Sequence, residues 1–118
     1  MKYILLMVVD ETDWQNLTPE QMQPMIDAME QFNDEVRAAG ALVSGEGYGF
    51  SSGAKTVRVS DGSRSVVDGP AIASKEQVGG HWIIEADTLD QAVGWAQKVP
   101  MTNGSIEARE LVPDDGPS

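Results

Sequence analysis

The chain has 118 residues, 41% hydrophobic and 23% charged, which is the composition of one globular domain. Its 19 acidic and 8 basic residues give a formal net charge of −11, so it lacks the basic footprint of a nucleic-acid binder and is repelled by anionic membranes. The absence of cysteine excludes disulfides and thiolate metal sites and fits a reducing compartment. These features predict a cytoplasmic protein without a nucleic-acid partner, a membrane partner or a cofactor.

The first predicted element is a buried central strand over Tyr3 to Val9. This apolar run is followed by Asp10-Glu11 rather than by the small residues of a cleavage site, which argues against a signal sequence. It is also far shorter than the roughly 20 residues of a membrane helix. A polar, turn-like segment is expected from residue 10 to residue 17.

A helix is predicted from Thr18 to a stop at Gly40. Thr18 and Gln21 have the spacing of a capping box, and Pro19 fits the first helical position. Pro24 lacks an amide proton, so we expect a kink or a late start there. The methionine-rich apolar stripe is interpreted as core rather than as a metal or cofactor site; its members are Met22, Met25, Ile26, Met29, Phe32 and Val36.

A second strand, Ala41 to Ser44, leads into a glycine-rich segment at residues 45–53. The spacing of these glycines matches no phosphate-binding motif. Two interpretations stay open, a mobile loop over a cleft and a plain surface loop.

The strongest local pattern is a β-hairpin. Residues 56–59 and 64–67 flank Asp61-Gly62, a pair typical of a two-residue turn with both residues at positive φ. Asp68-Gly69-Pro70 is expected to end the hairpin, with an irregular segment up to Glu76.

Gly79-Gly80 is predicted to open a strand that runs through residues 81–86. A second helix should follow from Thr88 to Pro100, then a last strand over residues 105–112 and a flexible polar tail at 113–118. The order β-α-β, hairpin, β-α-β predicts an α+β, ferredoxin-like sandwich with both helices on one face of the sheet. Residues 1–112 would form this single domain.

Val67-Asp68-Gly69-Pro70, followed by Lys75 to Gly80 and an aromatic-rich strand, resembles the signature of the DGPF branch of the YCII-related family. Met1 to Leu6 and Arg37 to Gly40 are also similar to that family, so the resemblance spans nearly the whole chain. It implies a homodimer that pairs sheet to sheet as a dimeric α/β barrel. That barrel class includes small-molecule isomerases, monooxygenases and dehalogenating enzymes. Some DGPF members accompany extracytoplasmic-function sigma factors, which points to regulation.

The chain departs from the family pattern in two ways, in the motif and on the first helix. Ala71 and Ala73 replace a phenylalanine and a common glutamate of the motif. A helix histidine proposed as catalytic in better-studied relatives aligns with Met29, so the resemblance does not carry that chemistry to this chain.

His81 is the sole histidine, which excludes metal sites with two or more imidazoles. We predict no metal site, because the acidic cluster at residues 10–13 lacks calcium-loop spacing. Strand alternation places His81 and Glu85 opposite Trp82, on the face toward the dimer cleft. Asp68 could complete an acid–base pair with His81. The competing interpretation is that Asp68 caps its own turn and that His81 only forms a hydrogen bond across the dimer.

Lys75, Glu76, Glu85 and Arg109 are predicted to contact the polar groups of a ligand, although a local ion pair would also explain Lys75-Glu76. Three functions follow. The chain is a small-molecule binding or sensing module, a cofactor-free isomerase or lyase that uses His81 and Asp68, or a structural partner-binding dimer. The first is preferred because no complete catalytic set is present in the sequence.

Overall fold

The structure, a computed structural model, describes residues 1–113. A short 3₁₀ turn at Ser51–Gly53 precedes the hairpin. The helices and strands are β1 Lys2–Asp10, α1 Thr12–Gln15, α2 Pro19–Ala38, β2 Leu42–Gly47, β3 Lys55–Ser60, β4 Ser63–Asp68, β5 Glu76–Glu85, α3 Leu89–Ala96 and β6 Ser105–Glu110. Of the predicted tail, residues 114–118 lie outside the described residues.

The main sheet has four strands in the order β2-β5-β1-β6, and every neighbouring pair is antiparallel. The two β-α-β units therefore interleave, because β5 of the second unit lies between β1 and β2 of the first. This mixed α+β arrangement is compatible with the predicted ferredoxin-like fold. Strands β3 and β4 form a separate two-stranded sheet.

The hydrophobic core lies between the sheet and helices α2 and α3. Leu5 and Ile84 contribute fully buried side chains from the two central strands, and Val36 does so from α2. The other buried core residues are Tyr3, Phe32, Ala41, Trp82, Ala92 and Val99. The smallest dimension of the molecule is 18 Å, which is about the depth of one helix layer on one sheet.

The opposite face of the sheet, which we call the open face, is covered by none of the helices described in residues 1–113. Along β5, Trp82 and Ile84 are buried while His81 and Ile83 are half-buried, as strand alternation requires. The register places Leu6 opposite His81 and Ile4 opposite Ile83, so an apolar strip crosses the centre of the open face.

Local signals predicted several elements correctly. The capping box at Thr18 and Gln21 is present, and Asp61 and Gly62 have φ values of 50° and 82° in the hairpin turn. The expectation of a late helix start at Pro24 is wrong, because α2 already begins at Pro19 and continues past Pro24. Pro24 removes the hydrogen bond to the carbonyl of Glu20, and Glu20 is exposed, so water can bind that carbonyl instead.

Other boundaries differ from the predictions. The segment expected to be turn-like contains α1, and β5 begins at Glu76 rather than at Gly79. Helix α3 ends at Ala96, before the predicted stop. Within residues 1–113, no helix has the length and apolar composition needed to cross a membrane.

Candidate functional site

The position of His81 is set by its strand. Its neighbour Trp82 points into the core, where the indole N–H donates to Asn33 Oδ1 of α2 at 2.7 Å and the indole ring meets Phe32 edge-on. Because side chains alternate along a strand, these contacts direct the imidazole of His81 to the open face. The predicted face assignment of β5 is confirmed.

The polar partner of His81 is Tyr48, in the glycine-rich segment. The Tyr48 hydroxyl lies 2.5 Å from His81 Nδ1, and the two rings are tilted with centroids 5.6 Å apart. The backbone N–H of Tyr48 donates to Gly79 O at 2.9 Å, so this part of the segment continues beside β5. When the tyrosine donates, the neutral imidazole carries its proton on Nε2, which is the atom left for a ligand.

The glycine-rich segment is held at a second point by the carboxylate of Glu11. The half-buried Glu11 accepts a hydrogen bond from Ser51 N at 2.7 Å and a second one from Ser51 Oγ. Nearby, hydrogen bonds from the side chain and backbone of Thr12, with Lys75 close by, hold the pKa of Asp10 below its ordinary value. The first three residues of the segment 45–53 pair with β5 as the end of β2, and the rest is attached at Tyr48 and at Ser51.

Two adjoining cavities lie beside these contacts, and we call them together the aromatic cleft. Their volumes are about 270 and 220 Å³, and they share Met7 and Trp14 in their linings. The cleft gathers four of the seven aromatic residues of the chain, which are Trp14, Tyr48, Phe50 and Trp82. The polar residues of its lining are Glu11, Asn33, Glu46, Tyr48 and His81.

Asp68 does not meet His81 within the described chain. Its side chain is 86% exposed at the end of β4, and its carboxylate accepts a hydrogen bond from Lys55 Nζ at 2.6 Å. Asp68 therefore does not cap its own turn, and the prediction that it does is wrong. The hairpin register explains this, since it places Lys55 opposite Asp68.

The predicted ligand-binding residues are spread over the sheet. Glu76 is exposed and lies opposite Asp10 on β1, next to Lys75 in the preceding loop. Glu85 accepts from the N-terminal ammonium at 3.3 Å and lines a separate cavity of about 410 Å³. Arg109 pairs with Glu107 at 2.5 Å on β6. These four residues do not line the aromatic cleft.

Sequence reasoning missed Tyr48, Trp14 and Glu11 as members of one site. Trp14 lies in a four-residue helix whose start has no side-chain cap, so no local pattern marked it. Among residues 1–113, no group of three or more histidine and acidic side chains is arranged to hold a metal ion.

Fold and site together define a small mixed α+β domain with an aromatic cleft beside an uncovered sheet face. The sequence model of the YCII-related domain matches residues 1–114, so the chain belongs to the YCII-related domain family. This confirms the resemblance; membership of the DGPF branch stays a prediction.

The chain is also similar to an uncharacterized protein of Rhizobium meliloti (strain 1021), with 39% identity over 61 residues. The similar segment covers 49% of this chain and 49% of that protein, so the match spans about half the length of the curated relative.

Proposed function

We propose that the protein is a small-molecule binding or sensing module and that its ligand occupies the aromatic cleft. The observation that carries the proposal is the gathering of four aromatic side chains around two adjoining cavities of about 270 and 220 Å³. Sites for small molecules are concave, mostly apolar and equipped with a few placed polar groups. The lining of this cleft includes the polar residues Asn33, Tyr48 and His81.

The lining also indicates the chemistry of the ligand. Glu11 and Glu46 contribute to the cleft, whereas its described lining contains no lysine or arginine. With a net charge of −11 on the chain as well, an anion would be repelled. A flat molecule that is neutral or cationic fits the cleft best.

Three probes with one ring system test this proposal. We expect indole and tryptamine to bind in isothermal titration calorimetry and to raise the melting temperature, while indole-3-acetate does neither, because it alone of the three carries a negative charge. Trp14→Ala should weaken indole binding about tenfold, since it removes one aromatic wall. Trp95→Phe, on α3 outside the cleft, is the control and should bind as the wild type does. Equal binding of all three probes, or no effect of Trp14→Ala, would contradict the proposal.

The second candidate is a cofactor-free acid–base enzyme of the isomerase or lyase type. It is favoured by the contact between the Tyr48 hydroxyl and His81 Nδ1, which orients the imidazole as a proton-transfer group would require. Since Asp68 pairs with Lys55 within the chain, a His81–Asp68 pair would need Asp68 from a second copy. Turnover that is lost in His81→Ala while indole affinity is kept would favour this candidate over the binding module.

We also propose that two copies associate through their open faces to form a dimeric α/β barrel. The apolar strip of Ile4, Leu6 and Ile83 supports this, because a second sheet would supply the layer that this face lacks. Sedimentation should give a dimer of the 12.7 kDa chain at micromolar concentration. Leu6→Lys should dissociate it, and Gln97→Lys, which adds the same charge at an exposed position just after α3, should not. A stable wild-type monomer would exclude this dimer.

If two copies associate but no small molecule binds, the third function, a structural partner-binding dimer, is favoured. The cytoplasmic location stays a prediction.

A further inference from the structure

The hairpin of β3 and β4, which we call the arm, stands apart from the rest of the domain. Its two strands pair with each other and with no strand of the main sheet. Every residue of β4 and all of β3 except Thr56 are exposed. An isolated two-stranded hairpin is at best marginally stable in water, so the arm lacks the packing that would fix it.

One face of the arm is apolar. The register pairs Val57 with Val66 and Val59 with Arg64, so the three valines share a face. Their exposed fractions are 55% for Val57, 59% for Val59 and 66% for Val66. β-Branched pairs of this kind stabilise a sheet when another layer covers them.

The arm and the rest of the chain, which we call the body, carry net charges of opposite sign. Residues 55–68 hold three basic and two acidic side chains, a net charge of +1, which leaves −12 for the rest of the chain. Lys55 is neutralised by Asp68, whereas Arg64 lies opposite Val59 at the edge of the valine face. The valine face therefore suits a partner surface that is acidic and has apolar area to cover the valines. The body of a second copy carries the negative charge that such a surface needs.

We propose that the arm docks its valine face on the body of a second copy of this chain. The proposal rests on the proposed self-association, but it is independent of sheet-to-sheet geometry. A docked arm would exclude water from the valines and from the hydrogen bonds between β3 and β4.

Amide hydrogen exchange measured from about 1 to about 200 micromolar protein tests this, because association rises with concentration. We expect exchange of the amides in residues 55–68 to slow at least about tenfold as the dimer forms. Val66→Asn should abolish the slowing and weaken association about tenfold. Ser65→Asn changes the neighbouring residue on the opposite face of the arm and should behave as the wild type. Unchanged far-ultraviolet circular dichroism will show that both variants fold.

Sedimentation of the same samples separates the possible failures. If the chain dimerises while arm exchange stays fast, arm docking is wrong and the open-face dimer stands. If the chain remains monomeric throughout, both proposals are wrong. Equal effects of Val66→Asn and Ser65→Asn would also overturn docking through the valine face.

Discussion

Gly104→Ala is expected to lower the free energy of unfolding by about 3 kcal/mol or more. Gly104 precedes β6 with φ at +116°, a backbone conformation that L side chains rarely adopt. A Cβ added there would lie 2.4 Å from Val8 O and 2.6 Å from the Met101 methyl group. The Met101 side chain can move, but the Val8 carbonyl belongs to the central strand, so β6 would be displaced.

The matched control is Gly94→Ala in helix α3. A Cβ at Gly94 meets no atom within 4 Å, and alanine is a better helix former than glycine by about 1 kcal/mol. Urea unfolding should therefore show one glycine substitution strongly destabilising the protein and the other stabilising it slightly. Similar midpoints for the two variants would show that the close approach of Gly104 to β1 is not structurally important.

The parts of the fold that the sequence predicted are those encoded by local signals. The Thr18 capping box and the Asp61-Gly62 turn each act over a few residues, and both are present in the structure. Alternation along β5 also predicted which face His81 occupies, because burial of Trp82 and Ile84 fixes the period.

The candidate site escaped prediction because its contacts are long-range. Tyr48 meets His81 across 33 positions of sequence, and Glu11 meets Ser51 across 40. Within the segment itself, glycine and serine indicate only a loop, and nothing local specifies its partners.

The role of Asp68 could have been predicted. Once Asp61-Gly62 is taken as a two-residue turn, counting outward along both strands places Lys55 opposite Asp68. An opposite-charge pair across two strands then competes with the turn-capping interpretation.

Glu11→Ala is expected to release the glycine-rich segment and to lower the free energy of unfolding by about 2–3 kcal/mol. The half-buried carboxylate accepts hydrogen bonds from both the amide and the hydroxyl of Ser51, and these bonds attach the segment to the end of β1. Without them, Phe50 loses its fixed place in the lining of the cleft. Indole affinity should fall together with stability, and proteolysis at residues 45–53 should become faster.

Ser51→Ala provides the graded control for this prediction. It removes the hydroxyl donor but keeps the backbone amide, so Glu11 retains its 2.7 Å bond and about half of the effect should remain. Both variants leave the contact between Tyr48 and His81 in place, so any loss of affinity they share reports the Ser51 end of the segment alone. If Glu11→Ala unfolds and binds indole as the wild type does, the segment is held by Tyr48 and the Glu11 tether has no role in forming the cleft.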